Sequence, residues 1–115
     1  MIYYNDLLGA PYEKYDNCYG LIVECCRRAG TPLKNPFKRL HKMAAGSEAQ
    51  YITELNVQEI PAPKAGAIIE SLDGNNLHVG YLLTNTLVIH STRKTGVITT
   101  HIAALNPIKY YEVKK

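Results

Sequence analysis

The spacing of apolar positions changes period near the middle of the chain. In "DNCYGLIVECCRRAG", residues 16–30, Leu21, Ile22, Cys25 and Ala29 recur at helical spacing. Asn17 or Asp16 can cap this helix, Arg27 and Arg28 occupy its last turn, and Gly30 with Pro32 ends it. A short helix is predicted from Phe37 to about Ala45. Ser47 and Gln50 resemble a capping box before another, in "AQYITELN". Beyond these, "AGAIIESL", "LHVGYLLT", "TLVIHSTR", "GVITTHIA" and "IKYYEV" are β-rich runs of strand length. The segments between them, "DGNN", "TN", "RKTG" and "LNP", are turn chemistry. Helices followed by strands predict an α+β fold, with N-terminal helices packed on a roughly five-stranded antiparallel sheet. With no repeat, low-complexity segment or linker, residues 1–115 read as one domain.

Composition narrows the classes. With 115 residues and 46% apolar content, the chain suits one folded unit with a modest core. The formal charge of +3 is spread thinly and forms neither a basic block nor an aromatic-rich RNA-binding signature, so no nucleic-acid partner is expected. No apolar run is long enough to span a bilayer, and the start lacks a basic region followed by a long apolar stretch. The expectation is synthesis in the cytoplasm without a signal peptide and without a membrane span. The three cysteines include the adjacent pair Cys25 and Cys26, poor geometry for a disulfide between them. They read as reduced thiols, open to reactivity, rather than a staple.

Cys18 is predicted in the first turn of its helix, where unsatisfied backbone N–H groups and the positive dipole end favour a thiolate. A free cysteine is more often a small buried hydrophobe than a nucleophile, and position alone favours that plainer reading. Cys25 lies two turns further along the same apolar face, and Cys26 is also assigned to packing. A thiolate nucleophile needs a base, and the base an orienting third group. His41 sits on what reads as a solvated helix face, and His101 reads as structural. His78 and His90 lie in consecutive strands. A turn centred near Thr84 would set them directly opposite each other, with Cβ atoms about 4.5–5.5 Å apart. By themselves the two fit a surface cross-strand pair, half a zinc site or a catalytic pair.

The combination carries a resemblance. "GAPYEKYDNCYGL" followed by "HVGYLLTNTLVIHSTRKTGV" resembles the NlpC family of papain-like cysteine peptidases, which cut bacterial cell-wall peptides. The likeness runs from about Leu8 to Ala104. It implies a minimal papain-like domain with Cys18 as nucleophile, His78 as general base and His90 as the group orienting His78. Tyr12, in "APY", matches the family tyrosine beside the nucleophile, whose hydroxyl helps hold the oxyanion. The implied activity is hydrolysis of peptidoglycan stem peptides at the γ-D-glutamyl–diamino acid bond, with neither metal nor cofactor.

The chain also departs from the family pattern. Asn17 stands where the family has aspartate before the cysteine, Ala67 replaces an aspartate after Gly66, and the segment between Tyr12 and Cys18 is short. "CYGL", the short chain and the ending "LNPIKYYEVKK" are most similar to phage tail-associated members. That implies tail proteins as partners and a tail as the carrier to the wall. Alternatives of other classes are a catalytically weak structural component of a tail or other assembly, and a thiol amidase or acyltransferase with a non-wall substrate. A zinc site of Cys18, His78 and His90 is a further chemical alternative, lacking an evident fourth ligand and any C-x-x-C element.

Overall fold

The computed structural model describes residues 1–15, 18–33, 56–74 and 76–114. The predicted cap residues Asp16 and Asn17, the helix over 37–45 with His41, and all but the last residue of the one over 49–56 lie outside the described residues. Among the described residues there is one α-helix, α1 (Cys18–Arg28), preceded by a 3₁₀ turn at Tyr12–Tyr15. Six strands follow: β1 (Val57–Ile60), β2 (Ile68–Asp73), β3 (Asn76–Leu82), β4 (Leu87–Thr92), β5 (Gly96–His101) and β6 (Pro107–Val113). They form a single sheet in the order β1-β6-β2-β3-β4-β5, with every pairing antiparallel. The α+β class is as expected from the order of elements, while the sheet has one strand more than the sequence suggested. The extra strand, β1, is four residues long, runs into Pro61 and pairs only with β6, so it carries little periodicity of its own.

Alternation along the strands divides the apolar residues between two faces. On one face Val79, Tyr81 and Ile89 join Leu21, Ile22, Cys25 and Cys26 of α1 in the main core, where α1 lies on β3 and β4. On the other face Ala67, Ile69, Leu82 and Val88 form a smaller core under Ile102 and Leu105 of the β5–β6 connection. Ala67 is buried in that second core. Its turn is closed by hydrogen bonds from Gly66 N–H to the Leu82 carbonyl (2.7 Å) and from Leu82 N–H to the Ala67 carbonyl (2.9 Å). With alanine at position 67, this turn is tied to β3.

The N-terminal segment is fastened at two points. Arg28 donates to both carboxylate oxygens of Asp6 (2.7 and 2.8 Å) and to Glu24 (2.7 Å), a bidentate geometry that fixes direction as well as charge. At the other end of the sheet, Gly9 N–H donates to the Val97 carbonyl and Val97 N–H to the Ala10 carbonyl, both at 2.9 Å. Gly96 allows this approach: its φ is +67°, and a Cβ there would collide with the Ala10 carbonyl oxygen.

The β3–β4 hairpin differs from expectation in one detail with consequences for the histidines. Its ladder pairs Tyr81 with Ile89 and Leu82 with Val88, which centres the turn on Asn85 rather than Thr84. The Thr84 hydroxyl accepts hydrogen bonds from the backbone N–H groups of Thr86 (3.1 Å) and Leu87 (3.0 Å), drawing a further residue into the turn.

Candidate functional site

Continuing the β3–β4 register places Gly80, not His78, directly across from His90. His78 is therefore the diagonal neighbour of His90, and the expected direct opposition is corrected. Because the offset is two residues, both rings stay on one face, and diagonal neighbours remain within reach of aromatic side chains. Glycine at position 80 makes the diagonal passable: a Cβ there would collide with Val88 Cγ1 and stand 3.4 Å from His90 Cβ. His78 Nε2 and His90 Nδ1 are 2.8 Å apart, with ring centroids separated by 5.0 Å and planes inclined at 71°.

The chain of contacts continues. His90 Nε2 lies 2.7 Å from Thr100 Oγ1 on β5. Here too the partner is diagonal, since His90 pairs directly with Ile98. His90 is only 5% exposed, and burial, together with the nearby charge of His78, pushes its pKa down to about 4. At neutral pH His90 is an uncharged ring between two hydrogen-bonding partners.

Cys18 is the first residue of α1. The 3₁₀ turn carrying Tyr12 packs on this end of the helix, so closely that a Cβ at Gly20 would overlap the Tyr15 carbonyl oxygen. That contact explains the glycine of "CYGL". The Cys18 backbone N–H donates to the Tyr12 hydroxyl. The Tyr12 pKa is raised by burial first and by the charge of a Cys18 thiolate second, with Arg93 acting against both. The Arg93 guanidinium, from the β4–β5 turn, lies over the Tyr12 ring, 5.3 Å from its centroid.

The structure thus makes two pairs of the four site residues singled out in the sequence: Tyr12 with Cys18, and His78 with His90. Both pairs belong to one end of the sheet, where β3 begins, β4 ends and β5 begins. Val79 and Tyr81 meet the body of α1, so alternation turns His78 and His90 to the other face. Cys25 and Cys26 are fully buried in the main core, and burial raises both thiols to about 12. None of the three cysteines forms a disulfide. His101 caps the following 3₁₀ turn, its Nδ1 accepting from Ala103 N–H at 3.0 Å.

Two contributors were not named from the sequence, Thr100 and Arg93. Thr100 carried a usable signal: it lies on the His90 face, one same-face position beyond the residue paired with His90. Arg93 carried none, because its reach to Tyr12 depends on how residues 1–15 fold back. Among the described residues no group of three His, Cys, Asp or Glu side chains is arranged to hold a metal ion. No helix among them is long and apolar enough to cross a membrane. The chain matches no protein-family model and no curated protein.

Proposed function

We propose that this chain is a cysteine peptidase of the papain-like NlpC type, acting on peptidoglycan stem peptides at the γ-D-glutamyl–diamino acid bond. The observation that carries the reading is the His78–His90–Thr100 chain of 2.8 and 2.7 Å contacts at the end of the sheet where Tyr12 meets Cys18. With His78 Nε2 facing His90 Nδ1 at 2.8 Å, this reading assigns to His78 Nδ1 the role of taking the Cys18 proton. The thiolate, favoured at a helix N-terminus, attacks the amide carbonyl. The Cys18 N–H and the Tyr12 hydroxyl are the two donors this reading assigns to the oxyanion, which replaces the contact between them to receive both. The C–N bond breaks as protonated His78 gives its proton to the leaving amine. Water, deprotonated by His78, then hydrolyses the thioester. Carriage on a phage tail belongs to the same proposal and rests on the likeness to tail-associated members.

Incubation of the purified protein with muropeptides tests the reading. Cleavage by the wild type, abolished by Cys18→Ala and by His78→Ala, is the expected result. Undiminished cleavage by Cys18→Ala would sink it. A second reading, a catalytically silent structural component, is favoured by the low 7% exposure of Cys18. It predicts that Cys18 reacts with a thiol reagent no faster than Cys25 or Cys26.

A further inference from the structure

We infer that Thr100 is a positioning residue that supports the Nε2–H tautomer of His90, and through it the proton on His78; the catalytic consequence rests on the peptidase reading above. The argument follows from counting donors. When His78 has taken the thiol proton, both of its ring nitrogens carry hydrogen and neither can accept. Its Nε2–H then points at His90 Nδ1, 2.8 Å away, which must be bare to receive it. His90 is buried and neutral, so its single proton must sit on Nε2. The group facing Nε2 at 2.7 Å is the Thr100 hydroxyl; a hydroxyl can donate or accept, so its oxygen accepts that N–H once protonated His78 has claimed Nδ1. Its own hydrogen can rotate elsewhere, so the hydroxyl satisfies the Nε2–H tautomer without strain. Were the hydroxyl absent, Nε2–H would point at a methyl group. The proton would then favour Nδ1, where it can donate to His78 Nε2, and that arrangement blocks the protonated form of His78.

Valine has the shape of threonine without the hydroxyl and retains its strand preference, so Thr100→Val isolates the proposed contact. Two measurements on the full chain read it. Nitrogen-15 spectra of the histidine rings at neutral pH report the tautomer directly. The expected result is Nε2–H on His90 in the wild type and in Thr100→Ser, and a shift toward Nδ1–H in Thr100→Val. Muropeptide kinetics report the consequence. Thr100→Val is expected to lower kcat by about 10–100-fold with little change in KM, and Thr100→Ser to recover most of the loss. A wild-type His90 carrying its proton on Nδ1, or an unchanged tautomer in Thr100→Val, overturns the inference whether or not the protein cleaves muropeptides. A wild type that shows the expected tautomers but cleaves no muropeptide leaves the Thr100 contact standing and removes the peptidase reading instead. A tautomer shift in Thr100→Val with unchanged kcat overturns the positioning role.

Discussion

The two ends of α1 set the same buried side chain in different polar surroundings. At its far end Cys25 and Cys26 are fully buried among Leu21, Ile22, Val79 and Ile89, and their thiols are pushed up to about 12. At its start Cys18 has a phenolic hydroxyl at its own backbone N–H and a guanidinium stacked on that phenol. The far end is held by apolar contact and is indifferent to which small apolar group fills each position. The start is held by a backbone-on-backbone contact at Gly20 that admits no side chain. Cys18 belongs to the same buried core, so the difference lies in the polar groups that surround its thiol rather than in the thiol or its burial.

The largest test of that contrast is substitution at the two ends. Cys18→Ala is expected to reduce muropeptide cleavage by roughly 10⁴-fold or more, the scale on which nucleophile removal acts. Cys25→Ala should leave turnover within about threefold, and equal losses would break the comparison. Alkylation sharpens it next. At pH 7 a thiol with a pKa of about 12 is ionised to only about one part in 10⁵, so iodoacetamide should label Cys18 alone until the chain is unfolded. Mass mapping of the labelled peptide checks this.

Smaller effects concern stability. Gly20→Ala forces a Cβ onto the Tyr15 carbonyl and is expected to destabilise by about 3 kcal/mol, read by urea unfolding. Acid should weaken the fold through His90. His90 folds with a pKa of about 4 against an ordinary 6.5, so the unfolded chain binds more protons between those values. The stabilisation is present above pH 6.5 and is lost as pH falls through 4, a difference of about 3 kcal/mol. His90→Gln should flatten that part of the unfolding profile. Smallest is Cys25→Ser, which buries a hydroxyl among apolar neighbours, at about 1–2 kcal/mol with activity retained.

Much of this architecture was legible in residue spacing, and the gaps have physical causes. The apolar recurrence from Leu21 to Ala29 marked α1, and the β-rich runs marked β2 to β6 close to their observed bounds. The face shared by His78 and His90 was also legible, because only the parity of the register matters for it. Which residue stood opposite was not legible, since the Thr84 hydroxyl lengthened the turn by a bond that no alternation pattern encodes. β1 escaped because its partners on β6, such as Tyr110 for Ile60 and Val113 for Val57, are far away in the chain and its four residues show little alternation. Gly80 could be seen in "HVGYLL", but its purpose, an open diagonal between two rings, follows only from the observed pairing.

The hydrogen bonds of Gly9 and Ala10 to Val97 have a consequence outside catalysis. β5 is the last strand of the sheet, and an uncovered outer strand is a template on which another chain can pair. The segment that shields β5 at Val97 also leads, through Pro11, directly into Tyr12. Protection from self-association and placement of the tyrosine are thus built from one stretch of backbone. A truncation that removed residues 1–10 would leave a protein prone to form aggregates as well as one with its tyrosine unmoored.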